Sequence, residues 1–217
     1  MHFNLNYRRL CMGLRIKSAN APRRWLPTDQ SLCIGRHTHG MTMGGQGIFH
    51  NMHDARQVAN FLLDHADSRG IKLTNMEVLK HIYFAHGWHL ASRGEPLISN
   101  RVEAWEHGPV IRAVYDAFKS FGSGPIMSRA AILDWETGEL TEARGDFCAE
   151  TTSLLRSTLD YYSGYGAFEL SAITHEPGGP WHQVWNAPDG KVKLNMEISN
   201  SLIHRHFTCL SSGASIQ

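Results

Sequence analysis

The apolar positions along this chain fall into helical periods from residue 54 onward and into no sustained period before it. Asp54 and Gln57 stand at capping-box spacing, and Val58, Phe61, Leu62 and His65 follow at helical intervals until Gly70, which predicts a first helix over about 54–69. Thr74 and Glu77 repeat the capping spacing, and Gly94 sits where a left-handed stop would fall, so a second helix of about five turns is expected. Leu79, Tyr83, His86 and Leu90 share one stripe of it; Val78, Ile82, Ala85 and His89 share the next. A stripe that wide belongs to a central helix packed on two sides.

Beyond it, Val102–Trp105 is short and β-compatible, and His107-Gly108-Pro109 closes the segment. Pro109 suits the first position of the next helix, which carries Ile111, Val114, Tyr115, Phe118 and Phe121 and stops at Gly122. Ile132-Leu133-Asp134-Trp135 and Glu139-Leu140 flank a Thr-Gly turn and suggest a small hairpin. From Asp146 the helical pattern returns through Phe147, Leu154, Leu155, Leu159 and Tyr162 until SGYG interrupts it. A short helix through Phe168, Leu170 and Ile173 ends near Thr174-His175, and Pro180 opens another that carries Trp181 and Trp185. A polar loop with Pro188 and Gly190 leads to a last helix, capped by Ser199 or Asn200, that buries Leu202, Ile203 and Phe207. The fold class is therefore mainly α: a compact helical domain of about six helices with one or two short extended segments.

Charge divides the chain. Residues 1–50 hold seven Arg or Lys against one acid, Asp29, leaving 14 basic against 19 acidic side chains of the 21 and 20 overall. The basic stretch 1–51 reads as a disordered or mis-assigned leader, with translation starting at Met41, Met43 or Met52. A basic arm for nucleic acid or an acidic partner and an Arg-rich transit peptide compete with that reading. Residues 52–210 form the folded domain, and 211–217 a flexible Ser/Gly-rich tail. The mildly acidic domain lacks the clustered Lys/Arg that phosphate binding wants, which argues against nucleic acid as its partner. Four scattered cysteines without C-x-x-C spacing fit a reduced, cytoplasmic protein. No apolar run has the roughly 20 residues needed to cross a bilayer.

Little in the chain points to catalysis. There is no G-x-S-x-G elbow, no P-loop and no G-x-G-x-x-G after a strand, and no carboxylates pair by spacing. Fourteen histidines invite a metal reading, yet none lies in H-E-x-x-H and no Cys/His set has zinc-finger spacing. No catalytic residue, metal ligand or cofactor is assigned. His86 reads as a packed interface imidazole bonded to a backbone carbonyl, and His175 as a helix-terminal imidazole beneath Trp181. Trp105 before a Gly-Pro turn is either a plug for a corner of the core or an anchor for a partner.

Three spaced motifs give the chain a family resemblance. YFAHGWHLASRGEPL, then EAWEHGPV, then LSAITHEPGGPW, spread between Asp54 and Phe207, resemble the SocA-like Panacea domain family, phage-associated GepA-type proteins among them. Two features depart from that pattern: His81, where the family often has Leu, and the basic N-terminal stretch. The resemblance implies an antitoxin whose partner is a cognate protein toxin, neutralised by direct binding or by presentation to a protease. It marks Tyr83, His86, Trp88, Trp105, Gly108, Pro109, His175, Pro180 and Trp181 as candidates for partner contact or scaffold. The alternative from another class is a histidine-based, metal-dependent enzyme, which requires His86, His107 and His175 to converge on a cleft.

Overall fold

The computed structural model describes residues 52–134, 136–187 and 196–212. Residues 1–51, where a leader is expected, Trp135 of the expected hairpin, the loop around Pro188 and Gly190, and residues 213–217 lie outside them. Seven α-helices and two small antiparallel strand pairs make up the described fold: α1 (Ala55–Ser68), α2 (Asn75–Arg93), β1 (Glu103–Trp105), β2 (Gly108–Val110), α3 (Arg112–Phe118), β3 (Ala131–Leu133), β4 (Leu140–Glu142), α4 (Ala149–Tyr162), α5 (Ala167–Thr174), α6 (Pro180–Trp185) and α7 (Asn200–Ser212).

Local chemistry accounts for the first two helices. Both capping boxes form: Asp54 accepts from the Arg56 amide while Gln57 reaches back to the Asp54 amide, and Thr74 and Glu77 repeat the exchange. Helix α2 is the hub. Every residue from Val78 to Gly87 is buried, because α1, α4, α5 and α7 all pack on it. It meets α7 at Gly87. A Cβ there would lie 2.3 Å from a ring carbon of Phe207, so the missing side chain is what lets that ring seat on the helix.

The segment leading into α1 is tied down by a short parallel bridge, in which His53 exchanges backbone hydrogen bonds with Leu97 and Ser99. Residues 196–198 run beside β1, with the Ala104 amide on Met196 and the Ile198 amide on Val102. The cap of α7 is Ser199, whose hydroxyl and carbonyl both face the Leu202 amide. That helix runs to Ser212, two residues past the point where a flexible tail is expected.

Pro109 does not begin a helix. It lies in β2 opposite Ala104, and α3 starts three residues later, at Arg112. The β1–β2 hairpin keeps the Pro109 carbonyl extended, where a buried lysine holds it. Hairpin β3–β4 forms as expected around Thr137-Gly138, with Leu133 opposite Leu140. Its root is stapled to α1 by Asn60, only 2% exposed. The Asn60 amide donates to the carbonyls of Ala130 and Ala143, both at 2.9 Å, and its oxygen accepts from the Ala130 amide at 2.8 Å.

Candidate functional site

Three helices converge on the turn between β1 and β2, and each holds one backbone carbonyl of it. Lys80 Nζ from α2 donates to Pro109 O at 3.1 Å. Ser171 Oγ from α5 donates to His107 O at 3.0 Å. Trp181 Nε1 from α6 donates to Trp105 O at 2.8 Å. Between these pins Gly108 adopts φ +105°, in the left-handed half of backbone space. A Cβ there would sit 2.7 Å from both Lys80 Nζ and Thr174 Oγ1, so only glycine satisfies both the dihedral and the space. The turn is thus a rigid feature of the scaffold.

Lys80 is the unexpected member of this set. It is 1% exposed, and burial alone lowers its ammonium to about 7, with no carboxylate acting to raise it. Its helical position looked unremarkable in sequence, and a lysine among apolar neighbours gives no signal that it meets a carbonyl 29 residues away. Ser171 and Thr174 lie in the LSAITHEPGGPW motif, but nothing in it shows that they face the turn. The Thr174 hydroxyl donates to Ser171 O and so keeps this corner of α5 closed.

His175 ends α5 and stacks on Trp181, with ring centroids 3.6 Å apart and 14° between the planes. Trp181 stacks in turn on Trp185 at 5.5 Å. Burial, then Lys80 and His107, push His175 down to about 4, so the ring is neutral at pH 7. A neutral imidazole gains little from the helix dipole, and its face stacks on Trp181. Pro180 is the first residue of α6 and buried, as its sequence position implied.

Trp105 is half-buried and held by three side chains. Its indole N–H donates to Glu103 Oε2 at 2.8 Å, Tyr115 meets it edge-on at 4.9 Å, and the Arg112 guanidinium lies 5.2 Å from its ring centre. Arg112 also pairs with Glu103 at 2.9 Å. The indole both plugs the corner and shows an edge to solvent. Beyond it Glu106 and His107 are exposed at the turn tip. One helical turn before Ser171, Phe168 is 84% exposed on α5, outside the inward stripe that holds Leu170.

The remaining candidates lie deeper. Tyr83 is buried against Phe84 and Phe207, and burial raises its phenol. Trp88 donates to the Tyr162 hydroxyl at 3.3 Å and meets Phe207 edge-on. His86 is fully buried, and its partner is a side chain: Nε2 donates to Asn200 Oδ1 on α7 at 2.9 Å. Burial depresses it to about 4. The three histidines of the enzyme alternative therefore do not converge. His107 and His175 neighbour each other, whereas the imidazole that acts on His86 is His89. Among the described residues no three His, Cys, Asp or Glu side chains gather as a metal site, and no helix is long and apolar enough to cross a membrane.

The family model described as Antitoxin SocA-like, Panacea domain, matches residues 78–182. That span runs from just before Lys80 to just after Trp181, and so encloses the turn and all three of its pins. Antitoxin SocA of Caulobacter vibrioides (strain NA1000 / CB15N) is 35% identical over 157 residues, which is 71% of this chain and 82% of that protein. No solved structure matches the chain. On these similarities, the chain belongs to the SocA-like Panacea-domain antitoxin family.

Proposed function

We propose that the protein is a cytoplasmic antitoxin that neutralises a cognate protein toxin by direct contact, through the face built around the Trp105–Pro109 turn and the start of α5. One observation carries this reading. The turn is pinned to three helices, while among the described residues Glu106 and His107 at its tip, and Phe168 one helical turn from Ser171, are exposed and Trp105 is half-buried. A surface already held in place loses little entropy on binding, and half-buried aromatic rings make strong anchors. The family supplies the class of partner; the dispersal of His86 from His107 and His175 favours binding over histidine catalysis. Contact with the toxin is required whether neutralisation ends there or continues with presentation to a protease.

A growth assay tests the reading. The product of the adjacent gene is expressed alone and then with this protein. Arrest by the neighbour and rescue on co-expression are expected, with rescue lost in a Trp105→Ala/Phe168→Ala variant. A neighbour that is harmless, or that arrests growth regardless of this protein, would contradict it.

A further inference from the structure

Among the described residues, one face of the β3–β4 hairpin has no partner. The register places Leu133 opposite Leu140 and Ala131 opposite Glu142, so these four side chains share a face, and all four are exposed. Leu140 is 75% and Leu133 39% exposed, so their apolar surface stays in water and would gain from burial against a partner. The face is also well anchored. Asn60 holds both strand roots, and the Arg56 guanidinium donates to Ala131 O at 3.2 Å. Hairpin residues are thus fixed relative to α1, and docking there would cost little ordering.

Charge decides what can cover it. Residues 131–142 contain four carboxylates, at Asp134, Glu136, Glu139 and Glu142, and no Lys or Arg. Asp134 is used in the turn, accepting from the Glu136 and Thr137 amides. Glu142 has an exposed pairing with Arg144 at 3.2 Å. Glu136 and Glu139 flank the tip with no cationic side chain of the hairpin beside them. A second copy of this face would bring like charges together, which disfavours self-association. We infer that the Leu133–Leu140 face with its glutamate rim is a second docking surface for the toxin, and that it receives a basic segment bearing an aliphatic side chain. This inference rests on the antitoxin reading but uses a surface separate from the Trp105 turn.

The test measures binding of full-length protein to the purified product of the adjacent gene at about 50 mM and about 500 mM NaCl. Three proteins are compared: wild type, Glu136→Lys/Glu139→Lys and Leu133→Ser/Leu140→Ser. Circular dichroism and thermal melts check that the fold is unchanged. Charge reversal is expected to weaken binding roughly tenfold or more at low salt, with the loss shrinking at high salt. The leucine variant should lose roughly tenfold at both salts. Wild-type binding matched within about twofold by both variants would overturn this inference and leave the antitoxin reading standing. Absence of any wild-type complex would defeat that reading, and this inference with it. Tighter binding after charge reversal would assign the face to the chain's own basic segment, and a dimer lost in the leucine variant would assign it to a second copy. Either result overturns the inference.

Discussion

Lys80 Nζ and the carbonyl of Pro109 meet at 3.1 Å in a site sealed from solvent, so a potential cation sits in the most buried helix with only hydrogen bonding to compensate it. The bond joins the hub helix to the one exposed turn that carries the candidate binding face. It is a link between core and surface, and it makes the turn's geometry depend on the protonation and shape of a single core side chain.

That link has a pH signature. The folded-state value of Lys80 is about 7 against an ordinary 10.5, so between these pH values the unfolded chain holds the extra proton. Stability should therefore rise with pH across this window, by about 2 kcal/mol between pH 7.5 and 9.5. The window lies above the depressed histidines and below the tyrosines whose phenols burial raises, Tyr83 and Tyr162. Urea unfolding at several pH values should show the rise in wild type and a flat profile in Lys80→Met. A slope that persists in the variant would mean that another group causes it.

Acid should act through the histidines. His86, His175 and His206 are each lowered by burial to about 4, so their neutral forms support the fold fully above pH 6.5 and progressively less as pH falls to 4. His86, fully buried on Asn200, accounts for up to about 3 kcal/mol of that loss. His86→Gln should be less stable than wild type at pH 7 and should close the gap by pH 4.5. Urea midpoints that fall in parallel for the two proteins would contradict the assignment.

Gly87 and Phe207 should behave as a coupled pair. Gly87→Ala drives a Cβ into the Phe207 ring and is expected to cost about 1–3 kcal/mol. Phe207→Ala alone should cost about 3–5 kcal/mol. In the double variant the new methyl enters vacated space, so the combined loss should fall short of additivity by at least about 1 kcal/mol. Additive losses would mean that the helices do not approach as closely as the structure has them.

How far the sequence speaks depends on the range of the interaction. The capping boxes at Asp54 and Thr74 and the Thr-Gly hairpin turn were legible, because each is settled within a few residues. The width of the apolar stripe on α2 also identified it as the hub. Pro109 was misread because a proline ahead of a helical pattern fits a helix start locally; its strand role follows from pairing with Ala104 and from Lys80, both tertiary. Lys80 carries no signal and Ser171 only its place in the LSAITHEPGGPW motif, since nothing near either records that it faces the turn. Phe168 read as one more apolar residue of a short helix, and only the packing of Leu170 inward turns it out to solvent. The spaced motifs containing Trp105, Gly108, His175 and Trp181 meet around one turn, but the hydrogen bonds that unite them join elements up to 76 residues apart and leave no trace in the sequence.

The central claim is that the pinned turn is a binding surface. Hydrogen exchange of this protein, alone and in complex with the product of the adjacent gene, tests it most directly. Residues 103–111 and the first turn of α5 should gain protection in the complex, while α1 and the core of α2 should exchange slowly in both states. A complex that forms without added protection at the turn and the start of α5 would contradict the account.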